Sequence, residues 1–237
     1  MKALACWFLL GFVVLGQPKR SVEEFKTAAG AVRITPIRHA SLLIQAGGQA
    51  IYLDPSPGDY TGLPPADLIL ITDIHPDHMD AARIAQLRQP ATVIVAPAAV
   101  VKNIPEAAVI RIGEPKQFGK WKIEAIAAYN IPSKPGAQVY HEKGRGVGYV
   151  LSYGGKRFYF SGDTQNIPEM RALKNIDVAF ICMNLPYTMP PEEAAQAVLA
   201  FKPAIVYPYH YHGSDLKVFE KALEGSGVEV RIRDWYY

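Results

Sequence analysis

The stretch that decides the fold reads Leu68-Ile69-Leu70-Ile71-Thr72-Asp73-Ile74-His75-Pro76-Asp77-His78-Met79-Asp80. Its first part, Leu68–Thr72, is apolar and predicts a buried strand. Two histidines and three aspartates follow within eight residues. Such side chains rarely enter a core unless they are paired or bind a metal. The stretch therefore predicts a metal-binding turn at the end of a strand.

The spacing within this turn favours one shared site. Asp73, His75 and Asp77 alternate and can face one side, while His78 turns back as the next helix begins. Imidazole and carboxylate together favour zinc, manganese or iron over calcium or magnesium. The alternative is a solvated loop in which Asp77 or Asp80 caps the following helix.

Two later strands also end in metal-ligand chemistry. The segment Phe158–Thr164 ends an apolar strand with Asp163, and the segment Val206–His212 ends another with His210. Each is weak alone, because Gly-Asp-Thr is common in turns and a histidine among aromatic residues is often merely packed. Because three strands each end in a histidine or an aspartate, we predict that these side chains form one metal site at the edge of a sheet.

The remaining pattern predicts an α+β fold. Short apolar runs separated by turn residues dominate both halves, and helices such as Ala81–Leu87 and Glu192–Phe201 follow some of them. This arrangement favours two packed sheets with helices outside over a doubly wound sheet. With 237 residues, 49% of them hydrophobic, the chain suits one large domain.

Composition excludes several classes of protein. The 19 glycines and 19 prolines are too many for a helical bundle. The net charge of +3 comes without a basic stripe, which argues against nucleic-acid binding. Two cysteines, Cys6 and Cys182, exclude a disulfide scaffold and a four-cysteine zinc module.

The N-terminus predicts export to the periplasm or the medium. Met1-Lys2 precedes the unbroken apolar run Ala3–Leu15, and Gly16 suits the position before a cleavage site. We therefore divide the chain into a signal peptide (1–16), an N-terminal extension (17–30) and the main domain (31–237). An uncleaved anchor and a buried N-terminal segment remain alternatives; after cleavage we expect no stable membrane insertion.

With these motifs the chain resembles the metallo-β-lactamase superfamily, and within it the ascorbate-6-phosphate lactonase-like branch. The landmarks are His39-Ala40-Ser41, Leu53-Asp54-Pro55, Asp73–His78, Gly148-Tyr149, Gly162-Asp163-Thr164 and Pro208-Tyr209-His210-Tyr211. The resemblance implies a four-layer αββα sandwich, in a single domain, with a metal site at one edge.

The resemblance also implies which residues bind metal. One site would use Asp77, His78 and His210, with Asp163 able to bridge to a second ion. The other would keep His75, and Asp73, which replaces the first histidine of the family motif, would be an oxygen ligand there.

The third imidazole of that other site is also missing from its usual position, where this chain has Tyr129-Asn130. His141 is the candidate replacement, although a solvent-exposed role beside charged neighbours is an equal alternative. The resemblance makes His39 and Asp54 candidates for orienting the ligands.

These expectations converge on a metal-dependent hydrolase that attacks a small ester, lactone or phosphoester with a metal-bound hydroxide. Asp77 would be catalytic, orienting that hydroxide or moving its proton. The cofactor would be one or two divalent ions, with zinc favoured over manganese or iron. A non-hydrolytic member that binds metal or a small ligand is the alternative, and a nuclease is disfavoured.

The partner would be a small-molecule substrate. We expect loops 131–147 and 184–190 to form the mouth of its pocket. Lys134, Lys143 and Arg145 in the first loop are candidates for meeting an anionic group, although each is also explained as part of a solvated basic loop. The sequence leaves the oligomeric state open.

Overall fold

The computed structural model describes residues 20–236, so the predicted signal peptide lies outside the described residues. The first half of the protein forms a seven-stranded sheet, in which the strands lie side by side in the order in which they occur in the sequence. The elements are β1 (Glu23–Thr27), β2 (Gly30–Arg38), β3 (Ser41–Ala46), β4 (Gln49–Leu53), β5 (Ala66–Leu70), α1 (Ala81–Leu87), β6 (Arg88–Ala96), α2 (Ala98–Val101) and β7 (Ala108–Val109). Strands β1 to β4 are antiparallel, and β4 to β7 are parallel.

The second half repeats this plan in a second seven-stranded sheet. It comprises β8 (Lys116–Phe118), β9 (Trp121–Ala128), β10 (Gly146–Tyr153), β11 (Lys156–Phe160), α3 (Pro168–Arg171), β12 (Val178–Cys182), α4 (Pro191–Phe201), β13 (Ile205–Tyr209), α5 (Leu216–Ala222) and β14 (Glu229–Val230). Again four antiparallel strands precede a parallel set.

The alternating side chains of β3 show how the layers pack. Leu42 and Ile44 belong to the main core, which also contains Trp121 and Phe158 of the second sheet. Leu43 between them faces the opposite way, into a smaller core under α1 that contains Ile84. Period-two alternation thus buries both faces of the first sheet, one against the second sheet and one against helices. The predicted four-layer αββα sandwich is confirmed.

The structure adds a strand to the range that we predicted as an N-terminal extension. Strand β1 pairs with β2, and Phe25 lies in the main core. Helices α2 and α3 and strand β8 were not predicted. Strands β7 and β14 comprise only two residues each. Within residues 20–236 no helix is long and apolar enough to cross a membrane.

The topology brings the predicted ligands to one edge. Strands β4 and β5 are parallel, as are β11, β12 and β13, so their carboxyl ends meet at the same side. The two sheets are joined there, because the amide of Val147 donates to the carbonyl of Thr72 (2.9 Å) and that of His210 donates to His39 (3.2 Å). Residues at these strand ends consequently form one site.

Candidate metal centre

The backbone at this edge holds three polar residues in an unusual conformation. His39, Asp54 and His210 have φ values of 56°, 46° and 46°, in the left-handed region that side chains with a Cβ rarely adopt. Residues in such conformations cost on the order of 1–3 kcal/mol each and cluster at functional sites. The fold therefore places these three side chains at an energetic cost.

Asp54 fixes the orientation of His78. Its carboxylate accepts hydrogen bonds from the backbone amide (2.7 Å) and the hydroxyl (2.6 Å) of Thr72. The same carboxylate lies 2.8 Å from Nδ1 of His78, and both side chains are fully buried. In neutral His78 the proton is therefore on Nδ1, and the lone pair of Nε2 points away from Asp54.

That lone pair faces further potential metal ligands. Nε2 of His78 lies 3.2 Å from Nε2 of His210 and 3.1 Å from a carboxylate oxygen of Asp163. The second oxygen of Asp163 is buried 3.2 Å from Nε2 of His210, without a hydrogen-bond partner among the described residues. Asp77 adds an oxygen 3.4 Å from Nε2 of His210. We call Asp77, His78, Asp163 and His210 the His78–His210 site.

The charges of this site favour a bound cation. Burial would raise the pKa of Asp163, but His210 and His78 hold that pKa well below its ordinary value. Burial would lower the pKa of His78, yet Asp163 and Asp54 raise it well above its ordinary value. Ionised carboxylates thus surround imidazoles that attract a proton, and a divalent ion satisfies the same field. The residues present fit a metal ion.

His39 positions the carboxylate of Asp77. Its Nε2 lies 3.2 Å from Asp77, and its Nδ1 lies 2.6 Å from the hydroxyl of Tyr236. Burial lowers the pKa of His39, which favours the neutral ring. The ring can then accept from Tyr236 and donate to Asp77. Asp77 is ionised, since hydrogen bonds from His210 and His39 lower its pKa despite partial burial.

A second group of potential ligands lies on the other side of Asp163. Asp73, His75 and His141 have ligand atoms within 4.8 Å of one another, and we call them the Asp73–His141 cluster. Nε2 of His141 lies 3.2 Å from Nδ1 of His75 and 2.9 Å from Asp163. His141 is 1% exposed, so the solvent-exposed alternative for this histidine is wrong.

Asn130 occupies the position of the missing third imidazole without replacing it. Its Oδ1 accepts from the backbone amides of Tyr140 (3.1 Å) and His141 (2.8 Å) and lies 3.1 Å from Nδ1 of His141. Its amide nitrogen donates to the carbonyl of Tyr187. Asn130 therefore orients His141, and the structure brings all seven predicted metal ligands together in two adjoining groups.

A cavity of about 340 Å³ opens over both groups. The two loops predicted as its mouth contribute Tyr140 and His141 from one side, and Asn184 and Tyr187 from the other. The rings of Tyr140 and Tyr187 meet edge to face, 5.0 Å apart. This volume suits a small molecule, and the aromatic wall suits an apolar group beside the reacting bond.

The basic residues of the first loop do not line this cavity. Lys143 pairs with Glu169 at 3.0 Å, and Arg145 pairs with the buried Asp73 at 3.2 Å. A further cavity of about 340 Å³ lies on the other side of Asp77, lined in part by His39 and Tyr236. Sequence reasoning missed Tyr236, because it carries no motif, and placed Asn184 in a mouth loop without assigning it a role.

Known proteins resemble this chain across most of its length. The family model for a β-lactamase superfamily domain matches residues 33–210. A UPF0173 metal-dependent hydrolase of Thermococcus kodakarensis is 33% identical over 220 residues, which cover 85% of this chain and 96% of that protein.

Solved structures give the same picture. A candidate metal-dependent hydrolase from Parabacteroides distasonis is 40% identical, with a TM-score of 0.87, over 92% of this chain and all of that one. Igni18, a metallo hydrolase from Ignicoccus hospitalis, shares the fold at 23% identity, with a TM-score of 0.71 over 87% of this chain and 96% of that one.

Proposed function

Because this chain belongs to the metallo-β-lactamase superfamily, we propose that it is a metal-dependent hydrolase of a small ester, lactone or phosphoester. The observation that carries the proposal is the convergence of three potential metal ligands, Nε2 of His78, Nε2 of His210 and the carboxylate of Asp163. Since the proton of neutral His78 is on its other nitrogen, a positive charge at Nε2, either a second proton or a metal ion, stabilises the group.

The residues around this site support hydrolysis. When bound, a divalent ion lowers the pKa of a coordinated water and polarises the substrate oxygen. Asp77 lies at the cavity wall as an ionised acceptor, where it can orient an attacking water. His39 and Tyr236 hold that carboxylate in place, and Tyr140 and Tyr187 wall the space for the substrate.

Zinc is the favoured ion, because imidazole supplies two of the four groups and the site is compact. Manganese and iron are the competitors, since the other two groups are carboxylates. The lactonase-like branch suggested by the sequence stays a prediction, and lactones accordingly belong in the first substrate panel.

The test is a panel of lactones, phosphoesters, carboxylic esters and amides, assayed with metal-free protein and again after addition of zinc. We expect turnover of one class that returns with zinc and falls about 100-fold or more in Asp77→Asn. Asp59→Asn is the matched control, because the Asp59 side chain is 46% exposed, as is that of Asp77, and it pairs with Arg20 instead. Bound zinc without turnover of any class would favour the alternative, a metal- or ligand-binding member without hydrolytic activity.

We also propose that the native protein is exported. The support is the apolar run Ala3–Leu15 followed by Gly16. Cell fractionation with N-terminal sequencing should find the protein outside the cytoplasm, beginning at Gln17. Native protein in the cytoplasm with Met1 retained would contradict this.

A further inference from the structure

The Asp73–His141 cluster contains an arginine that the metal chemistry does not explain. Arg145 directs its guanidinium at Asp73, with Nε at 3.4 Å and Nη2 at 3.2 Å from the same carboxylate oxygen. Nη2 also donates to the carbonyl of Tyr140 (2.7 Å) and lies 3.2 Å from Nε2 of His75. A permanent cation therefore sits against two of the three potential ligands.

Neighbouring residues leave room for this pair. Asp73 is only 2% exposed, so its charge needs a partner inside the protein. A Cβ on Gly146 would lie 2.6 Å from the carboxylate oxygen that Arg145 contacts. Glycine at 146 thus permits the carboxylate to lie where the guanidinium reaches it. The other oxygen of Asp73 accepts the backbone amide of Ile74 at 2.5 Å.

The contact with His75 determines where that histidine carries its proton. An arginine only donates, so Nε2 of His75 must be the acceptor and Nδ1 must carry the proton. Nδ1 is the atom that faces His141, at 3.2 Å. A metal ion bound through Nδ1 would move the proton to Nε2, directly against the N–H of Arg145. The ion and the guanidinium therefore compete for His75.

Hydrogen bonds link the members of the cluster to one another. Arg145 donates to His75, His75 donates from Nδ1 to Nε2 of His141, and His141 donates from Nδ1 to Oδ1 of Asn130. Both ring nitrogens of His75 therefore have a partner of the opposite kind inside the protein. Nε2 of His141 also lies 2.9 Å from the carboxylate of Asp163, and an ion bound in the His78–His210 site would balance the charge of that carboxylate.

We propose that the guanidinium of Arg145 takes the place of a second metal ion in the Asp73–His141 cluster, so that the chain binds one ion. This rests on the proposed function, which requires the first ion. Arg145 is thus a positioning residue that holds Asp73 and His75 in a form that does not bind metal. Among the described residues no arginine hydrogen-bonds to a member of the His78–His210 site, so no guanidinium occupies the lone pair of Nε2 of His78 there.

The experiment counts ions per chain. Metal-free protein is dialysed against Zn²⁺, and in a second series against Mn²⁺, and is then analysed by elemental analysis and calorimetric titration. We expect one ion in the parent and two in Arg145→Gln, the second bound about tenfold or more weakly because the exposed ligands are fewer and mixed in type. Arg233→Gln is the control, since Arg233 also pairs with a largely buried carboxylate, that of Glu23, and lies in a different part of the structure.

A measurement on the parent keeps the test independent of how Arg145→Gln folds. Long-range ¹H–¹⁵N spectra of the zinc-loaded parent should show His75 with its proton on Nδ1. Two tightly held ions in the parent, a proton on Nε2 of His75, or one ion in a folded Arg145→Gln would each overturn the inference and leave the hydrolase proposal intact. No bound ion in the parent would overturn both.

Discussion

Two groups of the same residue types adjoin at one edge of this fold, and they differ in what their nitrogen atoms face. In the His78–His210 site, Asp54 accepts a hydrogen bond from Nδ1 of His78, so the lone pair of Nε2 faces His210. In the Asp73–His141 cluster, Arg145 donates a hydrogen bond to the lone pair on Nε2 of His75. The comparison teaches that ligand count alone does not define a metal site. The partner behind each ligand decides whether an ion or a hydrogen bond fills the space.

The largest expected effect comes from removing one ligand from each group. His210→Ala should remove most of the bound zinc and lower the melting temperature, because zinc at about 100 times its Kd stabilises the folded state by about 2.7 kcal/mol. His75→Ala should keep its zinc. Elemental analysis and thermal unfolding check both.

His212→Ala is the control, because His212 follows two residues later and is exposed. Unchanged zinc content in His210→Ala, or loss of zinc from His75→Ala, would contradict the claim that zinc binds at the His78–His210 site and not at the Asp73–His141 cluster.

The next effect concerns the residue behind His78. Asp54→Asn removes an acceptor that fixes His78 while leaving all four ligands, so zinc affinity should fall about 10- to 100-fold. Competition with a chromophoric chelator measures it. Asp67→Asn is the matched control, since Asp67 also accepts a backbone amide, that of Ala50 at 2.7 Å, but has no histidine neighbour among its contacts. Equal affinities in the two variants would show that Asp54 does not orient the ligand.

The sequence predicted the ligands better than their partners. Asp77, His78, Asp163 and His210 follow apolar strands, and a strand end is a local feature that periodicity reveals. The contact between Asp73 and Arg145 joins positions 72 residues apart. Such a pair has no local signature, so the sequence indicates for Arg145 only a loop position, either near an anionic substrate group or in solvent.

The same reasoning explains what the sequence analysis missed in the fold. Strand β1 has only Phe25 buried, and its remaining residues are polar or charged. Its pairing with β2 and the contacts of Glu23 with β13 and the C-terminal segment create the strand. By contrast, the hairpin of β3 and β4 has a local signature, since Gly47-Gly48 marks its turn.

The next prediction is that zinc binding depends on pH through His78 and not through His75. Because the pKa of His78 is raised, its protonated form stabilises the metal-free protein fully below about pH 6.5, and this contribution is lost as the pH rises through the raised pKa. Zinc must displace that proton, so its affinity rises with pH. The difference in melting temperature between zinc-loaded and metal-free protein should therefore widen from pH 6 to pH 9.

His75 should add nothing to this trend, because burial lowers its pKa, with His141 and Arg145 also lowering it. His75→Ala should consequently show the same widening as the parent. A constant difference across the range would contradict the assignment of the raised pKa to His78.

The smallest expected effect is at Glu23, which lies away from both groups and serves as a reference for stability changes unrelated to zinc. Glu23 is 12% exposed in its side chain and accepts hydrogen bonds from Tyr207 and Arg233. Glu23→Gln should lower the free energy of unfolding by about 1–2 kcal/mol, equally with and without zinc. Despite partial burial, Tyr207 and Arg233 lower the pKa of Glu23, so this contribution is present at neutral pH and disappears as the pH falls through that lowered pKa.

Chemical denaturation of metal-free and zinc-loaded protein measures this reference. Glu24→Gln is the matched control, because the neighbouring Glu24 pairs with Arg33 at the surface and its substitution should leave stability unchanged. A zinc-dependent effect of Glu23→Gln would mean that the site is coupled to the whole sheet.

The most direct test is a crystal structure of the zinc-loaded protein with anomalous data collected at the zinc edge. The account predicts one strong peak among Asp77, His78, Asp163 and His210, and none between His75 and His141, with Arg145 still on Asp73. A second peak of equal height between His75 and His141, or no peak beside His78 and His210, would contradict it.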